Sequence, residues 1–573
     1  MKNLLLLLLL CLSLNGMSQS LKIAQTITKL DGKYKIKYRE CYYDVDTTAV
    51  TVKLKDLKVP YKGFRMLRQN KLGYMDLQKP DNMSFDDFVV SLTQDEIVES
   101  VIYCSFGEYT ACPPGSTFPN DSDLSEQWYL DAINVCDAWE ITTGNPSIIV
   151  AILDNGVDWT HPDLGLGSDS YQNIYLNPGE DPWIDPNNPQ SGNGIDDDGN
   201  GFVDDWKGWD FTGICYYSNS CNDSRGLVGY FPFPEVHGTL VAGIIGAKTH
   251  NNLGIAGIAG GRNDEGVKLL SYFIGGMQPI KSALIDAILA AVDNGAKVIQ
   301  LSCHIAQSQD IDDAIQYAIS NNVVIVCAAG SIEAPYTTNT YVRYPASHPN
   351  VISVGAVDQN LVRAAFSPYG SDLDIVAPGV EIYTTFSAHR YIVEEGTSLA
   401  APIVSGVAAL MLSVNPELIP EQVREYIAEA AQKVGGNPYY YSGQYGTWDN
   451  QYGYGMINAF AVQNVCDDIQ KYYNLAGQPV ISDRTIYGCR RLEVQNVTVS
   501  NNATLTLDAL GNIDIQNVTV TNGATLILKA DGDINVREVY VDNNSKLIFN
   551  AAGEVTIERD FEVESGSDFE IRK

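Results

Sequence analysis

Ser147-Ile148-Ile149-Val150-Ala151-Ile152-Leu153-Asp154-Asn155-Gly156 is a nearly continuous apolar run that ends in a carboxylate and a turn. Three similar runs follow and alternate with helix-like segments, at residues 296–301, 323–328 and 351–357. Strands of a parallel sheet that is buried on both faces have this composition. The sequence therefore predicts an α/β fold with a doubly wound, mostly parallel sheet covered by helices.

Three polar residues lie where such a fold would hold a side chain rigidly. Asp154 follows the first apolar strand, and sites in open α/β sheets form beyond the carboxyl ends of strands. His237 begins a helix of small residues that runs to Gly246, so close packing would fix its imidazole. Ser398 begins an apolar helix, where free N–H groups and the helix dipole stabilise negative charge. The alternatives are a helix cap for Asp154 or Ser398 and a satisfied core position for His237.

These segments resemble, in this order, the subtilisin family of serine peptidases, and the resemblance extends over about residues 127–461. Further matches are His161-Pro162-Asp163-Leu164, Tyr344-Pro345-Ala346, Phe366-Ser367 with Gly370, and Ala377-Pro378-Gly379-Val380. The resemblance implies a subtilisin-like catalytic domain over residues 123–465 that acts on protein or peptide substrates. Its nucleophile would be Ser398, its general base His237 and the orienting acid Asp154, with an acyl-enzyme at Ser398 and the Ser398 N–H as one oxyanion donor.

Two segments depart from the family pattern. Ser331 stands where the family usually has an asparagine that supplies the second oxyanion donor, and a serine hydroxyl is shorter. Removal of that donor from subtilisin lowers turnover about 10²- to 10³-fold. The other segment is Ser302-Cys303-His304, which replaces a serine, an apolar residue and a glycine. With Gly330, these three residues are the expected substrate-binding positions, by addition of the substrate backbone as a strand.

The N-terminal residues predict export and maturation. Residues 1–18 carry one lysine and then the apolar run from Leu4 to Leu12, which is typical of a secretory signal peptide and too short to span a bilayer. No later stretch in the sequence predicts a membrane helix. Residues 19–122 resemble the propeptide of secreted subtilisins, which would act as an intramolecular inhibitor and mark a zymogen. An attached α+β domain is the alternative.

The C-terminal residues repeat with a period of about 21. Gln495 to Val499 returns as Gln516 to Val520 and as Arg537 to Val541, with apolar residues alternating inside each unit. After a linker at residues 466–490, this pattern predicts a β-solenoid-like domain over residues 491–573, with residues 561–571 as its cap. A β-sandwich is the alternative. A spacer, a cell-surface anchor and a binding module remain open as its role.

An acidic loop predicts a structural calcium site. Oxygen ligands would come from alternate positions, namely Asp196, Asp198, Asn200, Phe202 through its carbonyl, and Asp204. Position twelve is Lys207 instead of a glutamate, so the site would need ligands from elsewhere. A plain acidic loop is the alternative.

Net charge limits the possible binding partners, and the cysteines depend on the compartment to which the protein is exported. A formal net charge of −33 makes nucleic acid an unfavourable partner. Export would allow disulfides, and Cys215 with Cys221 and Cys466 with Cys489 are candidate pairs, although sequence alone does not determine the connectivity. Cys303 and Cys327 lie in apolar runs and are expected as buried thiols.

Two functions from different classes therefore remain. One is an active serine endopeptidase. The other is a catalytically weak scaffold of the same fold that binds a surface or a partner.

Overall fold

The computed structural model describes residues 119–165, 173–213, 215, 221–225, 237–262, 266–276, 278–332, 340–436, 439–468, 472–476, 479–489, 491–542, 544–558 and 560–572. Before residue 119 it describes the backbone of six strands and a few residues between positions 80 and 92. The signal-like residues 1–18 lie outside the described part. The chain forms two compact units, Met1–Gly115 and Ser116–Lys573.

The first unit contains an antiparallel sheet in the order β1-β2-β3-β5-β4, with β6 also paired to β3. Its strands are β1 (Ile27–Leu30), β2 (Lys33–Tyr38), β3 (Cys41–Leu54), β4 (Arg65–Gln69), β5 (Tyr74–Gln78) and β6 (Val98–Phe106). Phe88, Ser91 and Leu92 have helical backbone between β5 and β6. Helix and sheet thus occur together in this unit.

The second unit is built on a seven-stranded sheet in which every neighbouring pair is parallel, in the order β13-β12-β11-β10-β7-β9-β8. The strands are β7 (Ile149–Asp154), β8 (Trp209–Asp210), β9 (Lys268–Phe273), β10 (Val298–Leu301), β11 (Val324–Ala328), β12 (Ile352–Val357) and β13 (Ile375–Pro378). The residues of β10, β11 and β12 are all buried, as their unbroken apolar runs require. The predicted fold class is confirmed.

Helices flank this sheet. They are α1 (Trp128–Ala132), α2 (Val135–Trp139), α3 (Pro162–Gly165), α4 (His237–Gly246), α5 (Lys281–Asp293), α6 (Gln309–Ser320), α7 (Thr397–Val414), α8 (Pro420–Ala430) and α9 (Phe460–Asp468). Two hairpins lie beside them, β14 (Ile382–Phe386) with β15 (Arg390–Glu394), and β16 (Tyr441–Gly443) with β17 (Gly446–Trp448). By length and composition α7 could cross a membrane, but 94% of that stretch is buried within the protein. Its apolar composition is accounted for by packing on β10 to β13.

Two parallel sheets made of successive coils form the C-terminal part. Their strands are β18 (Tyr472–Asn474), β19 (Arg484–Gly488), β20 (Arg491–Val499), β21 (Thr504–Ala509), β22 (Asn512–Val520), β23 (Thr525–Ala530), β24 (Ile534–Val541), β25 (Lys546–Ala551), β26 (Val555–Ile557), β27 (Phe561–Val563) and β28 (Asp568–Arg572). Leu505, Leu526 and Leu547 pair in register and are fully buried, so the 21-residue period is the length of one coil. The predicted β-repeat domain is confirmed.

Disulfides close two of these regions. Cys215 is bonded to Cys221, and Cys466 in α9 is bonded to Cys489 next to β20. Cys466 and Cys489 are both fully buried in the core of the parallel-sheet domain. Cys303 and Cys327 are free and buried. The second bridge therefore holds the start of the repeats against the larger core.

Candidate active site

Parallel pairing brings three strand ends to one edge of the sheet. Leu301 of β10 lies opposite Leu153 of β7 on one side and Cys327 of β11 on the other. Asp154 ends β7 in this register, and Ser302 comes directly after β10. The chain thus places Asp154, the segment after β10 and the segment after β11 side by side.

Asp154 and His237 are in direct contact at this edge. His237 Nδ1 lies 2.9 Å from Asp154 Oδ2 and 3.0 Å from Oδ1. Asp154 is buried and also accepts the Asn155 N–H at 2.7 Å. A carboxylate accepts hydrogen bonds only, so Nδ1 carries the proton and Nε2 is left with a lone pair. That is the tautomer a general base requires.

The position of His237 is fixed by the turn after β7. The side-chain oxygen of Asn155 accepts the N–H of Gly238 at 3.0 Å and so caps the helix that His237 begins. A Cβ at Gly238 would come within 2.2 Å of the Gly156 carbonyl oxygen, so only glycine allows this approach. Asn155 is therefore a cap for α4.

Burial and charge act in opposite directions on His237. Burial lowers its pKa, but the charge and hydrogen bond of Asp154 outweigh burial and raise the pKa above its usual value. Nε2 is buried, and among the described residues it has no hydrogen-bond partner, the Ser398 hydroxyl included. In unliganded enzymes such bonds are often long and tighten only when substrate binds.

Ser398 lies in the first turn of α7, directly after Thr397. N–H groups in a first turn have no acceptor within the helix, so the Ser398 N–H is available to an oxyanion. A Cβ at Gly396 would lie 2.9 Å from the Ser398 hydroxyl, so glycine leaves that group room. The Gly396 N–H donates to the Gly379 carbonyl at 2.8 Å, which places the Ala377-Pro378-Gly379 motif beside the nucleophile.

A series of hydrogen-bonded, buried polar side chains ends at the Ser398 carbonyl. Pro402 is inside α7, four residues after Ser398, and has no N–H for the Ser398 carbonyl. The Ser302 hydroxyl donates to that carbonyl at 3.1 Å instead. Gln300 donates to the Ser302 oxygen at 3.1 Å and accepts from the Ser405 hydroxyl at 2.6 Å. Sequence reasoning missed Gln300 and Ser405, although a proline four residues after the nucleophile indicates a missing donor.

The segment after β11 is attached to the same turn. Thr397 Oγ1 donates to the Gly330 carbonyl at 2.7 Å. Ser331 is exposed, and its carbonyl accepts from the Arg343 guanidinium at 3.2 Å. The segments that contain Gly330 and Ser302 are therefore bonded to successive residues of the Ser398 turn. Cys303 is buried, so only its backbone is placed to meet a substrate.

Glu180 and the acidic loop form a compact group of carboxylates that contains two of the predicted ligands, Asp196 and Asp198. Ligand oxygens of Glu180, Asp196 and Asp198 all lie within 4.8 Å of one another. Two oxygens bound to one Ca²⁺ at about 2.3–2.6 Å can be about 5 Å apart, so the spacing fits this ion. Glu180 is buried, and its Oε2 has no hydrogen-bond partner in the part of the chain that the structure describes. Burial, and then the charges of Asp205 and Asp198, raise the pKa of Glu180 to about 7.

One predicted calcium ligand, Asp204, bonds elsewhere in the loop. Asp204 is not in the Glu180 group, because its carboxylate accepts the Gly194 N–H at 3.0 Å. The ring of Phe202 packs against Trp209 and Phe211, and its carbonyl stays a predicted ligand. Asn200 stays near the group and donates to Asp198 and to Asp205, both at 3.2 Å. Glu180, which precedes the loop and was not predicted, supplies the third carboxylate of the group.

Lys207, at the twelfth loop position, is buried among tryptophan rings. It is fully buried, with Nζ 4.2 Å from the ring centre of Trp159, 4.8 Å from Trp206 and 5.4 Å from Trp183. Nζ also donates to the Pro186 carbonyl at 2.6 Å. The residue that breaks the calcium-loop pattern thus packs its amine against three tryptophan rings, and burial lowers the pKa of that amine to about 6.

Comparison with known proteins identifies the family. The family model for the subtilase family matches residues 145–455. A thermophilic serine proteinase of Bacillus sp. (strain AK1) is 34% identical over 347 residues, which are 60% of this chain and 68% of that protein. Thermitase of Thermoactinomyces vulgaris is 32% identical over 326 residues, 56% of this chain and 95% of thermitase. Subtilisin DY of Bacillus licheniformis is 38% identical over 208 residues, 36% of this chain and 74% of subtilisin DY. The chain belongs to the subtilase family of serine peptidases.

Proposed function

We propose that this chain is a serine endopeptidase that hydrolyses peptide bonds through Asp154, His237 and Ser398. The observation that carries the proposal is the hydrogen bond between Asp154 and His237 at the carboxyl edge of the parallel sheet. The first turn of α7, which contains Ser398, is attached to the same edge through Ser302 and Thr397. Membership of the subtilase family supports this assignment.

The three residues and one further donor divide the steps of the reaction among them. His237 Nε2 takes the proton of the Ser398 hydroxyl as its oxygen attacks the scissile carbonyl, and Asp154 stabilises the imidazolium. The Ser398 N–H, with Ser331 as the second candidate donor, binds the oxyanion. His237 then gives its proton to the leaving amine, and water releases the acyl group from Ser398 by the same steps in reverse.

We propose that the enzyme is exported as a zymogen to the cell surface or the medium. The support is the signal-like composition of residues 1–18 and the propeptide-like pattern of residues 19–122. The N-terminal unit ends at Gly115, close to the predicted boundary with the catalytic domain. In this proposal the propeptide inhibits the site until it is cleaved. The repeats at residues 491–573 are a candidate for surface attachment.

Calcium is proposed as a structural ion bound by Glu180, Asp196 and Asp198. The unpartnered, buried Glu180 Oε2 is the structural observation that favours an ion over a plain acidic loop. A bound cation supplies charge neutralisation and links residue 180 to the loop at residues 196–198. No catalytic step depends on it.

A fluorophosphonate probe tests the catalytic proposal. After removal of the propeptide, mass mapping is expected to find the probe on Ser398, and Ser398→Ala protein is the control. A known serine peptidase shows that the probe is active. Absence of label on wild-type protein, with the known peptidase labelled, would instead favour the weak scaffold that binds a surface or a partner.

A further inference from the structure

Two chain segments are fixed to the Ser398 turn by hydrogen bonds. The first segment, residues 302–305, follows β10 and is attached through the Ser302 hydroxyl to the Ser398 carbonyl. The second segment, residues 329–331, follows β11 and is attached through Thr397 to the Gly330 carbonyl. A substrate whose carbonyl carbon reaches Ser398 would place its neighbouring side chain between them.

The same two segments are joined a second time by residues 343–344. The Arg343 N–H donates to the Ala329 carbonyl at 3.0 Å, and the Ile305 N–H donates to the Tyr344 carbonyl at 3.0 Å. Residues 343–344 thus bridge the two segments and close the space between them. Arg343 is the charged residue in this bridge.

The Arg343 side chain lies along the second segment. A Cβ built on Gly330 would be 2.9 Å from both Cγ and Cδ of Arg343, so nothing separates this glycine from the arginine stem. The guanidinium donates to the Ser331 carbonyl and is partly exposed. An arginine has five N–H donors, so this bond leaves others for a ligand.

Arg343 has no carboxylate partner among the described residues, although acidic residues outnumber basic ones 70 to 37. Several other arginines do have one: Arg225 pairs with Asp223, Arg424 with Asp374 and Arg572 with Glu570. A guanidinium that has no carboxylate partner in the described part of the chain, on a segment bonded to the Ser398 turn, favours an acidic group from outside the chain, because guanidinium and carboxylate form charge-assisted bonds.

We propose that Arg343 determines specificity, and that the enzyme prefers glutamate or aspartate at the residue whose carbonyl Ser398 attacks. This inference rests on the proposed peptidase function. The carboxylate of the substrate side chain enters between residues 302–305 and 329–331 and binds the free N–H groups of Arg343. A glutamine at that position keeps the shape but loses the charge.

Fluorogenic peptides that differ only at this residue test the proposal on the mature full chain. We expect kcat/KM for the glutamate peptide to exceed that for the glutamine peptide at least about tenfold. Arg343→Gln should bring the ratio close to one while cleavage of a leucine peptide continues. Arg343→Glu should instead favour a lysine peptide. Arg572→Gln, which makes the same charge change in β28, should leave the ratio unchanged.

The outcomes separate the two proposals. If no peptide is cleaved and the phosphonate probe does not label Ser398, the peptidase function itself is wrong. If leucine peptides are cleaved but glutamate is not preferred over glutamine, or Arg343→Gln keeps the preference, only the role of Arg343 is overturned.

Discussion

Ser302 donates its hydroxyl hydrogen bond to the Ser398 carbonyl at 3.1 Å, in place of the backbone N–H that Pro402 lacks. A proline four residues after the nucleophile would otherwise leave that carbonyl without a helical partner. The buried pair Gln300 and Ser405 orients the Ser302 hydroxyl. The first turn of α7 is thus held by a side chain from a different strand.

Ser302→Ala should lower kcat about tenfold with little change in KM, because one hydrogen bond that positions Ser398 is lost. Adding Pro402→Ala should restore part of the rate, since it returns a backbone N–H to that carbonyl. Steady-state kinetics of both single variants and the double variant provide the check. Full activity of Ser302→Ala would mean that the turn holds its position without this bond.

Ser331→Asn should raise kcat. An asparagine amide extends further than a serine hydroxyl and is the donor that the family usually has at this position. The gain should be at least about tenfold, given the 10²- to 10³-fold loss when subtilisin lacks its donor. Ser331→Ala is the matched variant. A rate for Ser331→Asn at or below that of wild type would show that another group donates the second bond.

Asp154→Asn should lower kcat by about 10⁴-fold, because the wrong tautomer of His237 is favoured. It should also shift the pH profile. Asp154 raises the pKa of His237, so wild-type activity should increase with pH through a midpoint above 6.5 as His237 loses its proton. Residual activity of Asp154→Asn should have a lower midpoint. An unchanged midpoint would show that a different group titrates.

Glu180→Gln should abolish the stabilisation by calcium. In a Ser398→Ala background that prevents self-digestion, added Ca²⁺ should raise the Tm and a chelator should lower it. The Glu180→Gln protein should show neither response, whereas Glu554→Gln, an exposed change in the repeats, should respond as wild type does. A wild-type Tm insensitive to both additions would contradict the site.

His161 should lower the free energy of unfolding in acid. Burial lowers its pKa from 6.5 to about 4. Nδ1 accepts the Asp163 N–H at 3.2 Å, and Nε2 bonds the Arg390 carbonyl at 3.1 Å, so the folded protein holds the neutral ring. The unfolded chain binds a proton more readily between these pH values, and this contribution to stability is lost as the pH falls from 6.5 to 4.

His161→Phe provides the comparison, in the same Ser398→Ala background. It should be less stable than the parent by about 1–3 kcal/mol at pH 7, because two polar partners lose their bonds. The difference should shrink by roughly 1–2 kcal/mol at pH 5. Burial also raises the pKa of Asp163 to about 7, an effect of opposite sign, so the difference between the two proteins is the quantity to measure in denaturant titrations. A constant difference would show that His161 does not titrate.

Patterns of apolar residues predicted the sheet and the repeats well, because burial on both faces of a strand and in-register stacking leave direct marks on the sequence. The run from Ser147 to Leu153 became β7 (Ile149–Asp154), and Leu505, Leu526 and Leu547 stack as the period indicated. The contact between Asp154 and His237 is the one that the resemblance to the subtilisin family implied.

Other contacts between residues distant in sequence could not be predicted, because they produce no periodic pattern in the sequence. Glu180 precedes the acidic loop, and no periodicity links it to Asp196. Lys207 breaks the loop pattern because it fills a space among tryptophan rings, which the spacing of acidic residues cannot reveal. Arg343 joins the site through backbone bonds to Ala329 and, by way of Tyr344, to Ile305.

The bond between Cys466 and Cys489 gives the two halves of the second unit a covalent link besides the backbone. Proteolytic nicking anywhere between these cysteines would leave both fragments attached to each other. Separating the two fragments after such a nick requires a thiol reductant as well as a peptidase, so they stay together for as long as the surroundings stay oxidising.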